Sequence, residues 1–405
     1  MTEPSLGSSR FAQIPRGIWA LGFVSMFMDL SSEMIHSLLP IYLVSVLGTS
    51  ALTVGFIEGF AEATGSILKI FSGALSDRIG KRKMLAVIGY GLSALAKPIF
   101  PLANTVGWVV AARFVDRVGK GIRGAPRDAL VSDIAPAHLR GACFGLRQSM
   151  DTIGAFLGPL AAIFLMTLSS DNFRLVFWIA VTPALVAVSL MIFAVEEPAR
   201  HKAASKPIFR PRNLRLLPRP FWIAVCVAAV LTLARFSEAF LLLRSRSVGI
   251  PIALTPGVLV VMNVFYAGAA YPAGALSDRL GRRSVLGVGV ALLVAADLFL
   301  AFGSIPLVAI GVALWGLHMG FTQGLLATMV ADAAPAELRG TAFGVLNLAV
   351  GLSLLIASVV AGAIWDLDGP AATFLEGAGF ATIALVGFFV FRNAETQREG
   401  EIASK

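Results

Sequence analysis

The sequence predicts an all-α integral membrane protein of twelve transmembrane helices, built as two pseudo-symmetric six-helix bundles. Three observations predict it. Of the 405 residues, 57% are hydrophobic and only 14% are charged, whereas soluble domains carry about a quarter charged residues. Apolar runs of about 20 residues or more recur along the chain, cut by short polar turns. Short motifs of the first half also return in the second at a nearly constant offset.

The spans read in order as 17–47, 52–76, 84–103, 107–131, 140–168, 172–195, 220–247, 256–277, 285–304, 307–331, 338–365 and 372–392. Met1 to Arg16 is a short polar tail, and the span after it is too long for the apolar core of a signal peptide. Basic residues in short loops set the expected orientation. Arg10 and Arg16 precede the first span; Arg78, Lys81, Arg82 and Lys83 follow the second, Arg140 the fourth, and Arg279, Arg282 and Arg283 the eighth. The turns 48–51, 101–106 and 304–306 contain no Lys or Arg. Both termini are therefore expected in the cytoplasm, and the protein in the inner (cytoplasmic) membrane. Arg244 and Arg246 break the pattern and are expected to snorkel at the outer interface. The net charge of +9 belongs to the inner loops, so no nucleic-acid partner is expected. Residues 196–219, Pro-rich and basic, form the one long loop and divide a first bundle, 1–195, from a second, 220–405.

Chemistry needing a cofactor or metal is not expected. Cys143 and Cys226 are the only cysteines, and His36, His138, His201 and His318 are scattered. No P-loop, H-E-x-x-H or G-x-S-x-G stretch occurs, so the residues of an enzyme are missing.

The internal repeat is specific. Gly73-Ala-Leu-Ser-Asp-Arg-Ile-Gly-Lys-Arg-Lys83 returns as Gly274-Ala-Leu-Ser-Asp-Arg-Leu-Gly-Arg-Arg-Ser284, offset by 201. Ala135-Pro-Ala-His-Leu-Arg-Gly141 returns as Ala334-Pro-Ala-Glu-Leu-Arg-Gly340, offset by 199. These residues resemble the major facilitator superfamily, and the resemblance covers the whole chain. It implies two halves that rock about a midplane site, giving alternating access. It also implies a cytoplasmic charge latch of Asp77, Arg78 and Asp133, set among Gly73, Gly80, Arg82 and Arg140, with Asp278, Arg279 and Asp332 as a fainter copy. Arg117-Val-Gly-Lys-Gly121 is similar to the fourth-helix R-x-x-x-G of drug:proton antiporters, with Lys120 where those usually carry Gln. Gly154-Ala-Phe-Leu-Gly158-Pro159 resembles their fifth-helix antiporter motif, although Ala161 and Ala162 stand where glycines are expected. Small residues at this spacing let helices approach closely, and Pro159 adds a bend.

The stretch Arg113 to Asp133 holds the chemistry. On a helix, Arg113, Asp116, Arg117, Lys120, Arg123, Arg127 and Asp128 fall within roughly 140°. Such a stripe cannot face hydrocarbon, where each unpaired charge costs at least a few kcal/mol. A ladder of internal ion pairs is one reading. The surplus of cations favours another, a site for something anionic or for a proton. Other charges fall near mid-depth: Asp29, with Glu33 and His36 on the same face, Glu58 and Glu62 one turn apart, and Arg147 with Asp151 one turn apart. Two carboxylates a turn apart in low dielectric repel, which favours holding a proton, so Asp29 with Glu33, or Glu58 with Glu62, are the expected proton sites. Arg147 and Asp151 can satisfy one another. The second half offers Arg235, Glu238 and His318, with Asn263, Tyr266, Gln323 and Asn347, and Asp297 on an expected peripheral helix.

The expectation is a monomeric, proton-coupled secondary transporter of a small, anionic or amphipathic organic molecule, exporting it by antiport. Arg117, Lys120, Arg123, Asp116, Arg147, Asp151, Arg235, Glu238 and His318 would contact the cargo. Proton-driven uptake of a nutrient or metal chelate uses the same fold, and a lipid flippase is a third class.

Overall fold

In the computed structural model, residues 13–197, 214, 216–335 and 338–403 are described, apart from the side chains of 74, 77, 137, 278, 283, 327–328, 331–332, 339–340 and 387–403. Among these residues the chain is helical, without a strand. Most of the 196–219 loop lies outside them, as do the side chains of Asp77, Asp278 and Asp332.

The first half contains α1 (Arg16–His36), α2 (Leu39–Ser45), α3 (Ala51–Ile79), α4 (Arg82–Ala96), α5 (Ile99–Leu102), α6 (Val106–Ile134), α7 (Arg140–Leu168) and α8 (Phe173–Phe193). The second contains α9 (Arg219–Leu233), α10 (Ala239–Ser247), α11 (Gly257–Leu280), α12 (Arg282–Ala301), α13 (Ile305–Ala333) and α14 (Arg339–Ala403). Eight stretches of the described residues are long and apolar enough to cross a membrane. Helices α3 and α6 are 29 residues long but carry the intramembrane charges.

Three spans read as single helices are broken, each for a local reason. Pro40 cannot donate to the His36 carbonyl, so the first span stops at His36 and restarts at Leu39. Pro98 does the same between α4 and α5. The seventh span has no proline. There, the Ser237 N–H goes to Ser358 Oγ at 3.1 Å and Ser237 Oγ accepts from the Ala239 N–H at 3.2 Å, so side chains replace helical bonds between α9 and α10. The last two spans meet at Gly369, φ 85°, and Pro370 opens the second of them.

The repeated motif has a shared backbone reason. Gly80 and Gly281 sit at φ 72° and 82°, a left-handed turn that a residue with a Cβ rarely adopts. Each ends the helix before it (α3 and α11) and turns the chain into the next (α4 and α12).

The helices form two compact units: Met1–Leu38 with Thr64–Pro207, and Leu39–Ala63 with Ile208–Lys405. In the first, α1 packs on α7 and α8, and α4 packs on α6. Its core joins Ile18, Leu21 and Val24 of α1 to Tyr90 of α4, Leu130 of α6 and Met191 of α8. Gly154 and Gly158 lie where α7 meets α1; a Cβ at Gly158 would come 2.6 Å from the Cβ of Glu33. In the second unit α13 packs on α11 and α12, and α14 on α9 and α12. Phe236, Phe240, Trp315, Trp365 and Phe374 form an aromatic cluster. Arg244 is buried rather than snorkelling. Its guanidinium donates to the carbonyls of Leu300 and Ala301 at 2.7 and 2.9 Å, satisfying the orphan acceptors at the end of α12. Arg246 is exposed.

Asp366 completes the cap that Ser50 begins at α3, where Ser50 Oγ accepts from the Thr53 N–H at 3.2 Å. Its carboxylate accepts from the N–H groups of Ala51 and Leu52, both at 2.9 Å. Two orphan donors are satisfied by an anion at the positive helix end. Asp366→Ala is expected to lower stability by about 1 kcal/mol, read as a fall in the thermal midpoint of the solubilised protein. Asp366→Asn, which keeps one acceptor, is expected to lose less.

Candidate functional site

The charged stripe of α6 is divided by its neighbours. Gly89 and Gly119 let α4 and α6 touch backbone to backbone; a Cβ at Gly119 would lie 2.6 Å from the Gly89 carbonyl oxygen. That closeness brings Lys97, at the end of α4, to Asp116. Lys97 Nζ donates to Asp116 Oδ1 and to Ser32 Oγ, both at 3.0 Å, and both charged residues are buried. Arg113 Nη1 lies 3.9 Å from the other Asp116 oxygen. Ser93 Oγ donates to the Asp116 carbonyl at 3.1 Å and accepts from Arg123 Nη1. The Arg123 guanidinium also lies 4.8 Å from the centre of the Tyr90 ring, a cation–π contact.

A second group forms around Asp151 on α7. Its Oδ1 lies 3.6 Å from both Arg127 and Arg147. Arg127 also holds Asp128 at 3.1 Å and Ser25 at 3.3 Å, and Arg147 donates to Gln148 at 2.6 Å. Asp151 is thus shared between its own helix and α6, beyond the expected pairing with Arg147 alone. On α1, Asp29 lies beside Asp151 and within electrostatic reach of Lys120 and Arg123. Glu33 contacts His36 at 3.4 Å, with Lys120 and Arg117 near it. The Asp29 carboxylate therefore has Asp151 of another helix as a neighbour, while Glu33 is engaged by His36 on its own.

Lys120 stands apart. Arg113, Arg117 and Arg123 are buried, and Lys120 is exposed. It makes no hydrogen bond or ion pair with a described residue, and the nearby acids Asp29 and Glu33 place it toward α1.

In the second unit Arg235 sits in the break between α9 and α10, with Glu238, Tyr266 and Glu62 as electrostatic neighbours. Tyr266 donates to Gln323 at 3.2 Å. His318 is buried, its Nδ1–H donating to the Gly289 carbonyl at 2.7 Å. Glu58 is buried. Asp297 is fully buried, close enough to Gly377 that a Cβ there would come 2.8 Å from its carboxylate. At the expected latch, Asp133 binds Arg82 at 2.7 Å, and Arg82 also donates to the Ala129 carbonyl at 2.7 Å. Arg78, Arg140 and Arg279 are exposed. Among the described residues no His, Cys, Asp and Glu cluster suits a metal.

Lys97, Tyr90, Ser93 and Ser32 were not singled out from the sequence. Lys97 carried a signal: an ionisable residue inside a span marks a functional hypothesis by default.

The Major Facilitator Superfamily profile matches residues 21–261 and 239–405. An uncharacterised MFS-type transporter of Methanocaldococcus jannaschii is 33% identical over 385 residues, covering 92% of this chain and 94% of that relative. The chain belongs to the Major Facilitator Superfamily. It is a multi-pass membrane transporter of small molecules, not an enzyme. A multidrug resistance protein, MdtH of Photorhabdus laumondii, is 33% identical over 163 residues, 40% of this chain and 39% of that relative. The crystal structure of the nucleoside transporter NupG superposes with a TM-score of 0.73 at 13% identity, over 92% of this chain and 98% of that one. That likeness shows the superfamily fold alone.

The Lys97–Asp116 pair is testable by itself. Removing one member of a buried pair leaves the other charge stranded, at about 3–5 kcal/mol, whereas replacing both by apolar groups is close to neutral. Lys97→Met is therefore expected to destabilise strongly, and Lys97→Met with Asp116→Leu to recover most of the loss. Thermal unfolding of the four members of the cycle measures this.

Proposed function

We propose that this transporter exports a small anionic or amphipathic organic molecule in exchange for protons, from the cytoplasm across the inner membrane. The observation that carries the reading is Lys120, an exposed cation with no hydrogen bond or ion pair to a described residue, on a helix whose Arg113, Arg117 and Arg123 are buried. The same unit carries Lys97, Arg113, Arg117, Arg123, Arg127 and Arg147, against the acids Asp29, Glu33, Asp116, Asp128 and Asp151. Because Lys97 occupies Asp116, the acid that would otherwise neutralise the stripe is already used. The surplus is positive, and an anionic group on the cargo would complete it.

Asp29 is the proposed proton carrier. Next to Asp151, it feels a repulsion that a proton relieves, and Lys120 links it electrostatically to the cargo site. Anionic cargo at Lys120 would offset the cation that stabilises an ionised Asp29, so cargo and proton would favour one another's binding, the sign of symport; the case for antiport rests on the motifs and not on this contact. Export is favoured by the resemblance of 117–121 and 154–159 to antiporter motifs and by the partial likeness to MdtH. Residues 1–195 and 220–405 are the proposed moving halves, joined by 196–219.

Lys120→Gln is expected to weaken anionic cargo by about 1–3 kcal/mol, as for a charge-assisted hydrogen bond, and to spare neutral cargo. Calorimetry on the purified variant with matched ligands reads the difference, and equal losses for both would leave the stripe a structural ladder.

With Asp29→Asn, exchange of labelled for unlabelled cargo is expected to persist while pH-driven transport vanishes. Proteoliposomes carrying an imposed pH gradient separate the two. Continued accumulation against the gradient would move the proton to Glu58 and Glu62. The sidedness of the same assay distinguishes export from uptake.

A further inference from the structure

On the first unit, the last turns of α3 and the first turns of α4 flank an open groove of about 600 Å³. Its walls are apolar: Leu68, Phe71 and Leu75 from α3, and Leu85 and Ile88 from α4. The groove's base is fixed where α3 crosses α6. Ser72 Oγ donates to the Gly121 carbonyl at 2.8 Å, and a Cβ at Gly121 would come 2.6 Å from Leu68. Phe71, Leu75 and Ile88 are exposed at 58%, 46% and 44%, so the groove is open along an apolar face.

One end of the groove is charged. Arg78 lines it there, and Lys81 follows three residues on, past the Gly80 turn that joins α3 to α4. Both are exposed and make no hydrogen bond or ion pair with a described residue. The adjacent cations are engaged: Arg82 holds Asp133, and Lys83 Nζ donates to the Ile192 carbonyl at 2.7 Å. From Leu68 to Arg78 the helix rises about 15 Å, half of the roughly 30 Å hydrocarbon core. The volume holds roughly twenty groups of ~30 Å³ each, the size of one long acyl chain. An apolar channel one leaflet deep, ending at two cations that no described residue engages, matches a single lipid with a negative headgroup. A transmembrane helix fits poorly, because bulky Phe71 and Ile88 stand where close helix packing wants small residues.

We propose that this groove binds one anionic phospholipid from the leaflet at the basic end of α3, its acyl chain along Leu68 to Leu75 and its phosphate at Arg78 and Lys81. Bound there, the lipid braces α3 against α4 beside the charged helix α6.

The test is native mass spectrometry of the full chain released from mixed micelles of dioleoyl phosphatidylglycerol and dioleoyl phosphatidylcholine in equal amounts. The wild type is expected to retain one phosphatidylglycerol in preference to phosphatidylcholine, by about fivefold for each cation engaged. Arg78→Gln with Lys81→Gln is expected to abolish the preference, and Leu75→Trp, which fills the groove, to reduce retention of both lipids. Unchanged thermal midpoints establish that the variants are folded; where the charge variant is unstable, the Leu75→Trp arm alone decides. Equal retention of the two lipids by the wild type would overturn the proposal. So would retention unaffected by Leu75→Trp, or a preference erased by millimolar inorganic phosphate, which would mark an ion site without an acyl chain.

Discussion

A charge placed inside a bilayer must be paired or wetted, and the first unit is arranged around that constraint. Helix α6 carries five cations and three acids, most of them in a region where a lone charge costs several kcal/mol. The resolution is geometric. Two glycines, Gly89 and Gly119, bring α4 into backbone contact with α6, and only then can Lys97 reach Asp116 and Arg123 reach Tyr90 and Ser93. Gly154 brings α7 just as close to α1, which sets Asp151 beside Asp29. The small residues and the charges are thus one device: close approach supplies partners, and partners make the charges tolerable.

The broken spans belong to the same logic. The first span stops at His36, three residues past Glu33, and the seventh stops at Leu233, two residues before Arg235. The repeat offset of about 201 places the two breaks at equivalent positions in the halves. A break frees backbone groups inside the membrane, so it must be covered by protein. Ser237 and Ser358 do this in the second half. In the first, the Ser37 N–H reaches the Glu33 carbonyl at 3.0 Å and Leu38 the Ile35 carbonyl at 3.1 Å, tightening the last turn. Polar and charged side chains gather at these points because the interior there is already committed to polar contacts.

What the sequence made legible was whatever lies along one helix. Span positions, the duplicated motif with its left-handed glycines, and the charged stripe of α6 all follow from spacing in the chain. The contacts that decide the site lie between helices and were not legible. Spacing on α1 suggested Asp29 with Glu33, but spacing says nothing of α7, which supplies Asp151. Asp116 was expected at the cargo, because Lys97 on α4, which holds it, has no sequence relation to it. Arg244 read as an interfacial residue for the same reason: its acceptors, the last carbonyls of α12, come 56 and 57 residues later. Part of the α3 cap, Ser50, is local, but the acceptor for the Ala51 N–H is Asp366, 315 residues beyond. The breaks at Pro40 and Pro98 were readable in principle, whereas the one at Ser237 depends on Ser358.

The asymmetry of the halves follows from the same physics. The second unit centres on Phe236, Phe240, Trp315, Trp365 and Phe374, and its polar residues are few: Arg235 with acidic neighbours, His318 bonded to a backbone carbonyl. An aromatic core gains stability from burial and recognises by shape. The charged core of the first unit gains little from its ion pairs once desolvation is counted. A pair such as Lys97–Asp116 therefore persists for what it leaves over rather than for what it stabilises. By occupying Asp116 it leaves Lys120 with no ion pair among the described residues, and it is on this cation beside Asp29 that the proposed coupling of an anionic ligand to a proton rests.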